Sequence, residues 1–195
     1  MKNEFDLTKL NPDIRTIKDM GSVLCDKEWQ KTANPNTELY YMYRGLKEKN
    51  NLRYDITLIF PIMLGKEFNK TKGHTHKNEC REIYIVLESE AIFLLQKEKD
   101  DIIEDVYAVK AKQGEVCVVP PLYSHITINS TTKILKTANW VDRNMESSYE
   151  GIQQRNGACY FYTTQGWIKN ENYQNVPVLR FENPQSSLSK EFSFL

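Results

Sequence analysis

From Tyr54 onward the apolar residues come in short runs with a period of two, cut by proline, glycine and charged pairs. "YDITLIFPIM" (54–63) reads as a strand ended by Pro61, which cannot donate to a central ladder. "EIYIVLESEAIFLLQ" (82–96) is two apolar runs around a charged turn, the pattern of a hairpin. "DVYAVKAKQGEVCVVPP" (105–121) and "HITINSTTKILKTANWV" (125–141) continue the series. Short strands at this spacing predict an all-β barrel or sandwich. One or two short helices are expected beside it. Ser147 and Glu150 have capping-box spacing, and Gly157 could close a helix near 148–155.

The same pattern divides the chain. Residues 1–50 mix short apolar pieces with polar turns ("TANPNT", "LKEKNN") and form an N-terminal arm with strands packing on the barrel. Residues 51–166 are the barrel core. Residues 167–195 form a C-terminal extension of irregular structure and edge strands, whose "PQSSLSK" suggests a mobile end.

Composition narrows the function. The chain has 195 residues, 40% of them hydrophobic, enough for a core. Lysine plus arginine and aspartate plus glutamate are 26 each, so charge gives no argument for a nucleic-acid partner. No apolar run approaches the ~18 residues of a membrane span, and the start has no signal-peptide h-region. Cys25, Cys80, Cys117 and Cys159 form no CxxC pair, which fits reduced thiols in a cytoplasmic protein.

Histidine is rare, with three in the chain, and two stand in "GHTHKNEC". In an extended segment His74 and His76 point the same way, a natural chelate for a divalent metal. Alone, an HxH pair reads equally well as two solvent-facing residues. Beyond it, Glu82, Tyr84, Val86 and Glu88 share one face of a strand, expected to look into a polar cavity. Ile83, Ile85 and Leu87 share the other, expected against a core. The third histidine, His125, follows in "GEVCVVPPLYSHITIN" (114–129).

Together these stretches resemble the two motifs of the cupin superfamily, a double-stranded β-helix (jelly-roll) barrel. The resemblance implies that His74, His76, Glu82 and His125 hold one divalent metal per subunit, with iron, manganese, zinc, nickel or cobalt all suited. Five residues separate His76 from Glu82, so Glu79 competes as the carboxylate ligand. Leu122 stands where the second motif usually has glycine, and "LESEAIF" lacks the glycine that usually closes the first.

"DITLIFPIMLGKEFNKTKGHTH" (55–76) is similar to the first signature of cupin-type glucose-6-phosphate isomerases, and "YEGIQQRNG" (149–157) to a later part. That resemblance implies a homodimeric aldose-ketose isomerase acting on a sugar phosphate. Thr57, Thr71 and the Gly73 amide would hold the phosphate, and Tyr84 and Tyr149 would line the sugar. Glycine at 73 would let the backbone approach the phosphate closely. Catalysis would fall to Glu82 and Tyr84 beside a Lewis-acid metal, by proton transfer or hydride shift. Two positions depart from the family: its tyrosine ahead of the helix is Trp140, and a histidine expected before Tyr149 is replaced within "MESS". A metal-dependent cupin dioxygenase and a non-catalytic sugar-phosphate-binding cupin are the alternatives.

Overall fold

Two-residue turns decide where the chain doubles back. Asn50–Asn51 has φ of 51° and 64° and joins strand Glu38–Lys49 to Leu52–Ile59; Asp100–Asp101, at 50° and 64°, joins Glu90–Lys99 to Ile102–Lys112. Paired left-handed residues match the twist of flanking strands, and asparagine and aspartate tolerate that conformation best after glycine. The computed structural model describes residues 5–77 and 80–186.

The strands form two facing sheets. In one, Leu52–Ile59, Leu135–Asp142, Glu82–Glu88 and Val116–Val119 lie side by side, with Glu38–Lys49 and Asp13–Thr16 added at one edge. In the other, the order is Glu67–Lys70, Tyr123–Asn129, Glu90–Lys99 and Ile102–Lys112. Tyr160–Thr163 and Gly166–Lys169 extend that second sheet at one side, and Arg180–Glu182 runs parallel to Ile102–Lys112 at the other. The four central strands of each sheet interleave in sequence as two Greek keys do. This is the jelly-roll barrel.

The expected hairpin at 82–96 is absent. Glu82–Glu88 pairs with Leu135–Asp142 and Val116–Val119, whereas Glu90–Lys99 pairs with Tyr123–Asn129 and Ile102–Lys112. One residue links the two strands, too few for a two-residue turn. That residue, Ser89, has φ 71° and carries the chain across to the opposite sheet. Short-range patterning shows a reversal, not which sheet the chain enters.

The faces of Glu82–Glu88 follow expectation only in part: Glu82 and Tyr84 do line a polar cleft, but the main core is on their side and not on that of Ile83 and Ile85. Tyr84 and Val86 belong to the main core between the sheets, with Phe93, Leu95 and Ile126. Ile83 instead packs with Val116 in a small cluster outside, flanked by Ile85 and Val118. A neighbouring outer cluster around Tyr43, Ile56 and Ala138 is covered by Phe5 and Leu7 of the arm. Apolar residues on both faces of a strand hide which face is interior.

The arm carries helices Ile17–Met20 and Lys27–Thr32, the second capped by Asp26, whose carboxylate accepts from Trp29 N at 3.0 Å. A third helix covers Glu150–Gln154, but Ser147 does not cap it. Ser147 and Ser148 are instead paired with His76 and Thr75, and the N-cap is Tyr149. Gly157, φ 129°, closes the helix with its N–H on Ile152 O at 2.8 Å. Most of "PQSSLSK" lies outside the described residues.

Candidate metal centre

Strand pairing assembles the three histidines. His74 leaves the turn at Gly73 and forms a bridge with His125: His125 N donates to His74 O at 3.1 Å, and His74 N to His125 O at 3.4 Å. His76, two residues on, carries its ring on the same side, 5.3 Å from that of His74 between centroids. Glu82 opens the next strand and reaches the same point from the other sheet. One candidate ligand atom from each of His74, His76, Glu82 and His125 lies within 4.8 Å of every other. Glu79 lies outside the described residues.

The donor atoms converge. Glu82 Oε2 is 3.1 Å from His76 Nε2 and 3.0 Å from His125 Nε2. Neighbouring ligands on one ion, each at roughly 2.1 Å, stand about this far apart. Buried His74 Nε2 has no hydrogen-bond partner among the described residues. Such orphans are rare in folded proteins, and a bound metal would give this one its partner. The Nδ1 of His76 faces the Cys80 carbonyl at 3.3 Å, an arrangement that leaves Nε2 to ligate. The residues present fit a divalent ion.

Charge supports this. Burial, then the neighbouring His125, push His74 well below the ordinary histidine range, which keeps its lone pair free. Burial alone would raise the Glu82 carboxyl, yet the charges and hydrogen bonds of His125, His76 and His74 hold it far below the usual carboxylate range. Tyr84 is pushed far up by burial and by Glu82; its hydroxyl is 3.1 Å from His125 Nε2. It stays a neutral phenol beside the centre.

The centre opens into a cleft. Thr57, Thr71, Gly73, Tyr84 and Tyr149 all line it. Thr71 Oγ1 accepts from Thr127 N at 3.0 Å, leaving its own proton for the cleft. Gly73 sits at φ 80°, and a Cβ there would come within 2.5 Å of Ile126 Cγ1 and 2.9 Å of Ile152 Cδ1. Glycine is therefore required by backbone conformation and by the packing around it. Tyr149 holds its ring 5.8 Å from that of His74, with Lys72 Nζ 5.6 Å from the Tyr149 centroid. Trp140 is absent from the lining and packs on Tyr54 at 5.0 Å.

Sequence reasoning missed a polar wall of this cleft. Arg44, Arg53, Asp55 and Asn139 line it, and Asp55 accepts from Gly45 N at 2.7 Å and Arg53 Nε at 3.0 Å. Asp55 and Asn139 are polar residues at inward positions, but their strands, "LRYDITLI" and "LKTANWVD", mix polar and apolar residues, so neither stood out. Arg44, in a mixed segment, had no signal either.

A family model described as glucose-6-phosphate isomerase (GPI) matches residues 14–178. The chain belongs to the glucose-6-phosphate isomerase (GPI) family. Curated members include glucose-6-phosphate isomerase of Pyrococcus abyssi (strain GE5 / Orsay), 29% identical over 122 residues, which are 60% of this chain and 62% of that one. That of Thermococcus gammatolerans (strain DSM 15229 / JCM 11827 / EJ3) is 31% identical over 121 residues, again 60% and 62%. The chain thus spans 62% of the length of these two GPI relatives. Among solved structures, recombinant oxalate oxidase in complex with glycolate has a TM-score of 0.49 at 15% identity, covering 62% of this chain and 59% of that one.

Proposed function

We propose that the protein is a metal-dependent aldose-ketose isomerase interconverting glucose 6-phosphate and fructose 6-phosphate. The observation that carries this reading is one cleft lined by His74, Glu82 and His125 of the four-residue cluster, with hydroxyl and amide donors on its wall. Its support is membership of the GPI family, whose curated members bear that activity in their names.

The hydroxyls of Thr57 and Thr71, the Gly73 amide and the cationic Lys72 hold the phosphate dianion, charge-assisted hydrogen bonds being the strong ones. Anchoring that end places C1 and C2 at the cluster, so remote binding energy serves orientation. The three imidazoles and Glu82 would hold one divalent ion, which would supply Lewis-acid stabilisation of negative charge on the substrate. Tyr84, a neutral phenol, donates to oxygen, and Tyr149 closes over the sugar. Glu82 is the carboxylate placed to move a proton between C1 and C2. If it serves only as a ligand, hydride passes directly between the carbons. Iron is among the suited ions; the active form is a cytoplasmic homodimer with the arm at its contact.

A coupled assay of fructose 6-phosphate with metal-stripped and metal-restored protein tests the reading. Activity should vanish on stripping and return with the metal. Turnover unaffected by metal, or none with hexose 6-phosphates, overturns it. Light scattering at micromolar concentration should give twice the chain mass.

A further inference from the structure

Asn139 lies in the middle of Leu135–Asp142, directly opposite Tyr84 on one side and Asp55 on the other. Asparagine is disfavoured in strands, and burying its amide is costly unless it is hydrogen-bonded. Here it is 5% exposed, and its Nδ2 donates to Glu82 Oε1 at 2.6 Å. The other oxygen of the same carboxylate, Oε2, is the one that faces His76 and His125. The two oxygens therefore have separate partners: the amide takes one, the imidazoles crowd the other.

We infer that Asn139 is a positioning residue that allots the oxygens of Glu82, holding Oε1 in a hydrogen bond so that the carboxylate offers a metal Oε2 alone. The inference rests on the metal centre proposed above. Three imidazoles and one carboxylate oxygen make four donors from the protein. An ion that accepts more keeps the rest for substrate oxygens, whereas a carboxylate swinging in with both oxygens takes one away. The bond also fixes the carboxylate plane, and with it the direction from which Glu82 meets C1 and C2. Partners one shell out from a metal commonly matter at the level of ~10–100-fold in affinity or activity.

The test uses the full chain loaded with cobalt(II), whose visible absorption reports coordination number without substrate. Asn139→Leu, close in volume but without the donor, should still bind cobalt at the wild-type stoichiometry. Its absorption should shift and change in intensity as Oε1 joins the ion. In the isomerase assay kcat should fall by about tenfold or more with KM nearly unchanged. Asn139→Gln, which keeps an amide donor, should restore most of both readouts. If the leucine variant fails to fold, Asn139→Ala gives the same comparison. A donor-free variant with the wild-type cobalt spectrum overturns the inference, and so does a wild type that binds no cobalt, which ends the metal centre too. A wild type that binds cobalt but isomerises no hexose phosphate ends the isomerase reading alone, and the cobalt comparison still decides Asn139.

Discussion

A hydroxyl is both acceptor and donor, and Thr71 uses the two capacities in different directions. Its oxygen accepts from Thr127 N at 3.0 Å, so its proton is left for the cleft. Thr71→Val should therefore raise KM for the sugar phosphate by roughly 10- to 100-fold, the value of one hydrogen bond to a charged group. Metal content should stay at the wild-type level by elemental analysis. Thr71→Ser, which keeps the hydroxyl, should recover most of the loss. Unchanged kinetics in the valine variant would remove Thr71 from the phosphate site. At this scale the cluster was legible for a simple reason. Histidine is scarce here, all three residues serve one point, and the spacing His-x-His already sets two rings on one side. Asn139 and Asp55 were not legible, because a polar letter inside a mixed strand does not say which partner meets it. Arg44 reaches the cleft from a strand that only tertiary pairing brings there.

The elements carry their own strain and their own fastenings. Tyr123 N donates to Pro120 O at 3.4 Å, closing a four-residue turn with Pro121 and Leu122 in the middle. Leu122 has φ 68°, which a turn with proline second and a left-handed third residue asks of glycine. It is 46% exposed, so it returns little burial for that strain. A left-handed L-residue costs roughly 1–2 kcal/mol, against roughly 0.5–1 kcal/mol for the extra freedom of glycine in the unfolded chain. Leu122→Gly should thus stabilise by up to about 1 kcal/mol and raise Tm by ~2–4 °C. A lower Tm would show that the leucine packs usefully. At the other end, Arg180 grips Asp105 with two nitrogens, at 3.1 and 2.6 Å, fastening Arg180–Glu182 to the barrel. That grip, opposed by partial burial and aided by Tyr123, holds the Asp105 carboxyl below its usual value of 3.8. A carboxyl depressed by folding contributes stability above its unfolded value and loses it as pH falls through the folded one. The fastening should therefore weaken below about pH 3.8. Asp105→Asn should speed amide exchange at 180–182 at neutral pH, by the few-fold that ~0.2–1 kcal/mol allows; exchange as slow as wild type would show that the parallel ladder holds the strand alone. Strand existence was legible from alternation and proline. Partners were not, because Ser89 turns an apparent hairpin into a crossing between sheets.

Across the whole molecule, residues 17–32 are joined to the barrel by charge as well as by apolar packing. Met20, Val23 and Leu24 are buried in the main core, yet beneath them lie Lys70 and Glu67, paired, with side chains 3% and 1% exposed. Lys70 Nζ also donates to Val23 O at 3.0 Å and sits 4.6 Å from the Phe161 ring centroid. Glu67 Oε2 accepts from Cys25 N at 3.0 Å. One buried pair thus touches the N-terminal segment, the central strand Glu67–Lys70 and the later strand Tyr160–Thr163. The sequence sets "GKEFNK" within the first signature but does not show that Glu67 and Lys70 pair in the interior. Removing one member of a buried pair leaves an uncompensated charge and typically costs ~3–5 kcal/mol, whereas removing both charges is often nearly neutral. Lys70→Met should accordingly lower stability in urea by about that amount, exposing the segment around Val23 and Cys25 to faster amide exchange. Adding Glu67→Gln removes the stranded charge and keeps an oxygen for Cys25 N–H, so the double variant should regain most of the loss. Destabilisation below ~1 kcal/mol in Lys70→Met, or no recovery in the double variant, would mean that apolar packing alone holds the arm. The cleft feels the outcome, because Thr71 and Gly73 continue directly from this strand. An arm loosened by Lys70→Met should raise KM for the sugar phosphate, and the double variant should bring it back.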